Sequence, residues 1–217
     1  MQEVDREAVV DLLGALAYGE LTAFERLALD SRFAPTLADK ASLAGMAAAE
    51  FGHFRGLVDY LRDEVGVDPE KAMEPFVTPL NEFHESTSPS DWLEGLGKAY
   101  VGDSIAADFY REIAVFLDPR TRDLVLEVLE DTGHSQFAVD RVRGAILADP
   151  TVAGRLALWG RRLVGEALTQ AQRVAAEREA LIRLVAGSSD NLGEFSKMLG
   201  RLTERHTERM ASLGLSA

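Results

Sequence analysis

Apolar residues recur at threes and fours along most of this chain, the period of helices with one buried face. Val9, Leu12, Leu13, Leu16, Leu21, Phe24 and Leu27 predict a first helix over residues 5–29. After Pro35, Thr36 stands as an N-cap with Asp39 three positions on, predicting a second helix from there to about residue 65. Asp68-Pro69-Glu70 is a cap followed by proline at the first helical position, opening a short helix to about residue 73. Residues 75–89, bounded by prolines, read as a long connection. Ser90 is the expected cap of a third helix reaching about residue 117, with Asp91 and Glu94 complementing its dipole. Asp118-Pro119 predicts a fourth helix to about residue 147, and Asp149-Pro150 a fifth over 152–185, with Leu156, Leu163, Ala167, Val174 and Leu181 as its stripe. A sixth, over 191–213, follows Gly187-Ser188-Ser189. The expectation is an all-α chain.

Within this pattern one stretch occurs twice. Gly19-Glu20-x-x-Ala23-x-Glu25 followed by Glu50-Phe51-Gly52-His53 is echoed by Gly102-Asp103-x-x-Ala106-x-Asp108 followed by Asp131-Thr132-Gly133-His134. The carboxylates at 20 and 50 are 30 positions apart and those at 103 and 131 are 28 apart, so each copy spans two helices and a turn. Positions i and i+3 share a helix face, so Glu50 with His53, and Asp131 with His134, can each offer an oxygen and an imidazole nitrogen to one point. With Glu20 and Asp103 from the partner helices, four carboxylates and two imidazoles suit a pair of first-row transition metals better than Ca²⁺ or Mg²⁺. Four negative charges offset two divalent cations. Without metal, such carboxylates would repel one another inside a bundle, where an unpaired buried charge costs several kcal/mol.

Other polar residues read as support or surface. Tyr100 lies three positions before Asp103 and shares its face, placing it to hydrogen-bond a ligand carboxylate or to pack in the core. Glu25 and Asp108, about 140° round the helix from the ligands, read as surface or supporting groups. Tyr18 reads as packing, His84 in the connection as surface or packing with a part in substrate entry as the alternative, and Glu166 after Gly165 as a superficial echo with no Glu-x-x-His behind it. Arg161, Arg162, Arg173 and Arg178 are expected on exposed faces of the fifth helix, which with the sixth forms a clasp over the bundle or a dimer surface.

Composition narrows the chemistry. The 217 residues contain no cysteine, which excludes thiolate zinc, Fe–S clusters, disulfides and cysteine nucleophiles. Residues 1–150 carry 13 Lys+Arg against 29 Asp+Glu, net −16, and residues 151–217 carry 10 against 7, net +3. That acidity argues against tight nucleic-acid binding, apart from a local arginine patch near the C-terminus. There is neither a basic leader with an apolar run nor an apolar stretch near 18 residues, so a cytoplasmic protein with no membrane association is expected. No glycine-rich dinucleotide loop is present.

The order of ligands, Glu20, then Glu50 and His53, then Asp103, then Asp131 and His134, resembles the ferritin-like di-iron carboxylate superfamily, in which two helices give one Glu each and two give Glu-x-x-His. The Asp pair departs from that pattern, each arm being shorter by about 1.5 Å. The wording LAYGELTAFERL, AAAEFGHF and WLEGLGKAYVGDSIAADFYRE resembles the MiaE-like group of actinobacterial proteins, named for a tRNA hydroxylase. The resemblance implies a single domain over 1–217: a ferritin-like four-helix bundle over 1–150, with a long crossover between helices two and three, and two C-terminal helices packed on it. It implies two Fe ions, or Mn or mixed Fe/Mn, with O₂ as co-substrate and electrons from an external reductase or ferredoxin. A small molecule or modified nucleoside is the implied substrate of a hydroxylase or monooxygenase; tRNA itself is not supported by the net charge, and a homodimer is possible. The alternative is a ferroxidase or metal-storage protein without organic substrate.

Overall fold

The computed structural model describes residues 6–130, 134–186 and 192–217, and every regular element among them is helical. The elements are α1 (Arg6–Asp30), α2 (Leu37–Tyr60), α3 (Pro69–Ser86), α4 (Trp92–Ala114), α5 (Pro119–Val128), α6 (His134–Ala148), α7 (Val152–Glu177), α8 (Glu179–Ala186) and α9 (Leu192–Ser212). Three caps lie where the sequence places them. Thr36 accepts from the Asp39 amide, Asp68 from Glu70, and Asp118 from Arg120 and Thr121, so each satisfies helix-end donors that have no intrahelical acceptor. α2 runs on into a wider turn at Leu61–Val65 and stops at Gly66, whose φ of 70° is the left-handed conformation that a glycine adopts without strain.

Four expectations are corrected. The connection between the second and third helices is itself helical: α3 runs unbroken through Pro75 and Pro79. Each of those prolines forfeits one backbone hydrogen bond, but the helix buries Ala72, Phe76, Pro79 and His84, and that tertiary burial outweighs local propensity. The cap of α4 is Asp91 rather than Ser90; Asp91 accepts from the Glu94 amide, and Ser90 donates from its amide and hydroxyl to the Glu94 carboxylate. The fourth expected helix is two, α5 ending at Val128 and α6 beginning at His134. The fifth breaks at Arg178, whose side chain turns inward to Asp11.

α1 packs along α2 and α3, while α4 packs against α7 and α6, with α9 laid over α4, α7 and α8. One cluster around Leu12, Leu13, Leu16, Leu57, Leu61, Phe76 and Ile113 joins α1, α2, α3 and α4. A second around Leu96, Val101, Leu156, Trp159, Leu163 and Met210 joins α4, α7 and α9. Each fully buried leucine or phenylalanine stabilises the fold by roughly 1.5–3 kcal/mol relative to its exposed state. One crossing is too close for a side chain, since a methyl group on Gly14 would overlap the Ala72 carbonyl; at Gly160 the flexible end of Met210 fills the space that a methyl group would take. The C-terminal helices therefore form a clasp over the bundle, held by Trp159 donating to the Glu94 carbonyl at 3.0 Å and by Arg155 paired with Glu94 and Asp91.

Candidate metal centre

Three of the expected donors meet. α1 presents Glu20 from its middle, and α2 presents Glu50 and His53 one turn apart on the facing side. Glu20, Glu50 and His53 each place a ligand atom within 4.8 Å of the other two. His53 Nδ1 lies 3.3 Å from Glu20 Oε2 and 3.6 Å from Glu50 Oε2. The Glu20 side chain is 11% exposed, Glu50 13% and His53 27%, so the cluster is sheltered but open on the histidine side.

The electrostatics follow from that shelter. Burial holds the Glu20 carboxyl well above the usual carboxylate range, against the opposing pull of its hydrogen bond with His53. The His53 imidazole is pushed up to about 10, first by the hydrogen bond to Glu20 and then by the one to Glu50, with burial working the other way. Glu20 and His53 are thus held toward their protonated forms, and a cation bound there would displace those protons. Ligands at about 2.1 Å around one ion are at most about 4.2 Å apart, so side-chain rotations of a few tenths of an ångström bring these three onto a single metal. Two carboxylates and a neutral imidazole fit one divalent first-row ion in charge as well as in ligand type.

The other half of the expected site is only partly in view. Asp103 is exposed on α4; it is not among the three clustered donors but lines the same cavity. Asp131 lies outside the described residues, as does the side chain of His134, the first residue of α6. The described residues on either side of 131–133, Leu129, Glu130 and Ser135, do line that cavity. Tyr100 lines it too and packs against the second core cluster.

The cavity has a volume of about 460 Å³ and runs between α1 and α4. Glycines at 19 and 102 contribute backbone alone to its wall, and nothing lies within 4 Å of where their side chains would begin. A second, apolar chamber of about 180 Å³ lies behind Leu80, Phe83, Gly102, Ala106 and Tyr110, which line both spaces. Burial, and then the charge of Glu20, push the Tyr110 phenol upward.

Sequence reasoning missed the polar groups at the far end of the cavity. Lys98 is 7% exposed, donates to the Thr87 carbonyl at 2.9 Å, and is pulled down to about 8 by burial, with Asp30 opposing. Asp30 itself is raised by burial. His84 is 9% exposed and so takes the packing role; burial, then Lys98, lowers it to about 3. The one available signal was a lysine set among Gly95, Leu96, Gly97 and Ala99. Glu25 is exposed as expected. Asp108, in contrast, is buried, paired with Arg209 and approached by Arg111 at 3.5 Å and Arg205 at 3.6 Å. Arg178 is likewise not an exposed arginine but the partner of buried Asp11.

The family model of the ferritin-like domain of actinomycetes matches residues 3–188. No curated protein matches the chain. Among the described residues, no helix is long and apolar enough to cross a membrane.

Proposed function

Because the chain belongs to the ferritin-like domain family of actinomycetes, we propose that it is a non-haem di-iron, O₂-dependent oxidoreductase of the hydroxylase type. In this reading residues 1–217 form one cytoplasmic domain, allied to the MiaE-like group by the wording around Glu20, Glu50 and Asp103. Glu20, Glu50 and His53 hold one metal; Asp103, Asp131 and His134 hold the second, and Tyr100 supports Asp103. Iron bound there supplies the redox chemistry that O₂ requires. In the overall change one substrate C–H becomes C–OH, the second oxygen atom leaves as water, and two electrons and two protons come from an external reductase or ferredoxin.

The observation that carries this reading over a ferroxidase or storage role is the cavity of about 460 Å³, walled by the three donors and large enough for an organic substrate. A protein that only oxidises or stores iron needs an ion path, not a chamber of that size. Arg161 and Arg162 are exposed on α7 and do not line the cavity, so a small molecule fits better than an RNA. The test is metal content per chain on protein purified without chelator, followed by anaerobic Fe(II) loading and O₂ addition monitored optically. Two irons and a visible band after oxygen are expected, with His53→Ala reducing bound metal towards one or none. Absence of metal after reconstitution would end the oxidoreductase reading.

A further inference from the structure

The far end of the cavity holds a guanidinium whose Nε has no hydrogen-bond partner. Arg26, on α1, lines the cavity; its Nε is buried and has no hydrogen-bond partner, and no carboxylate among the described residues lies within ion-pair distance of it. Lys98 faces the same space from α4, and its hydrogen bonds go to the backbone carbonyls of Thr87 and His84. Asp30 is the acid beside them, and His84 is neutral and still has a free Nδ1. Asp103, which lines the same cavity, joins Asp30 in acting on Lys98, so what this end lacks is an acceptor for the buried Arg26 Nε, which is costly to leave unmade.

We propose that Arg26 and Lys98 form the carboxylate-binding end of a substrate site, and that the substrate is a monocarboxylic acid whose apolar body reaches back to the three metal donors. The planar guanidinium, whose Nε has no acceptor, offers a carboxylate parallel N–H donors. The distance suits the task. Six residues separate Glu20 from Arg26 on α1, about 9 Å along the helix axis, which is the span of a medium-chain or aryl acid. Ala23, Leu27 and Ala99 line the same cavity, small or apolar side chains that would cover a hydrocarbon body. The role of this acid as substrate rests on the oxidoreductase reading; its binding does not.

The test uses octanoate and, as its uncharged counterpart, octanol, with binding to the full-length protein followed by titration calorimetry. Wild type is expected to bind octanoate at least tenfold more tightly than octanol. Arg26→Gln and Lys98→Met are each expected to lose at least tenfold for octanoate and little for octanol. Because a carboxylate can also bind a metal directly, the same titration is made on His53→Ala, with metal content measured on every sample. Octanoate binding retained in His53→Ala and lost in Arg26→Gln establishes the site, even in a protein that carries no iron. Binding lost in His53→Ala but unchanged in Arg26→Gln means that the carboxylate sits on the metal, and overturns it. Equal affinity for octanoate and octanol overturns it as well, and leaves the metal reading intact.

Discussion

His84 should make the protein sensitive to mild acid, in a window that its hydrogen bonds define. The Thr22 hydroxyl has one proton and donates it to the Gly19 carbonyl at 2.9 Å, so toward His84 Nε2, 3.1 Å away, it accepts. The histidine is therefore the Nε2–H tautomer with its lone pair on Nδ1, and a second proton would place a positive charge in a buried site beside Lys98. The folded value of about 3 lies far below the ordinary 6.5. Above pH 6.5 neither state is protonated and stability is unaffected. Between 6.5 and about 3 the unfolded chain takes up a proton that the folded chain refuses, so stability falls by up to about 1.4 kcal/mol per pH unit. At pH 5 the loss is about 2 kcal/mol. The assay is urea unfolding of wild type and His84→Gln at pH 7 and pH 5. Other titrating groups are common to both proteins and cancel in the difference. The stability gap between them should shift by about 2 kcal/mol in favour of the variant on going to pH 5. An identical gap at both pH values would show that His84 is not held neutral by the fold.

Removing the acid that α9 grips should be severe: Asp108→Ala leaves Arg209, 15% exposed, without its partner, and a loss of about 3–5 kcal/mol is expected in thermal or urea unfolding. A loss below about 1 kcal/mol would mean that α9 is held by its apolar face alone. Gly14→Ala should lower the melting temperature because the new methyl group meets the Ala72 carbonyl, whereas Gly56→Ala, with open space around it, should stabilise by roughly 0.5–1 kcal/mol through helix propensity; equal effects would refute the close crossing of α1 and α3. A divalent metal at a hundred times its dissociation constant should raise stability by about 2.7 kcal/mol, measured as a shift in melting temperature. His53→Ala should abolish that shift, and its persistence would show that the ligands lie elsewhere.

The helical plan was legible where a polar residue and a proline or acid stand together, since caps act over three or four residues and need no tertiary information. Thr36, Asp68 and Asp118 all behave that way. Prolines misled where burial decides: Pro75 and Pro79 look like breakers, yet α3 is anchored by Phe76 and His84 against its neighbours. α5 stops at Val128, and Leu129 and Glu130 lie outside any helix, although the apolar spacing of the sequence carries one helix from 119 to about 147. Glu20, Glu50 and His53 could be paired from spacing because i and i+3 on one helix is a local rule, and the duplication named the partner helix. Arg26, Asp30 and Lys98 could not, because their meeting depends on how α1 and α4 lie across a cavity. Asp108 and Arg209 lie 101 residues apart, beyond the reach of any local pattern.

Arg178 grips Asp11 across 167 residues, with its Nε donating to Oδ2 at 2.9 Å, and Asp11 is 2% exposed. During synthesis this carboxylate is made 167 residues before its partner. At about 5–20 residues per second, roughly 10–30 s pass before the guanidinium exists. Until residue 178 has been made, packing Asp11 as it lies in the folded protein would bury an unpaired charge. One ion pair thus ties the helix that carries Glu20 to a side chain made 167 positions later.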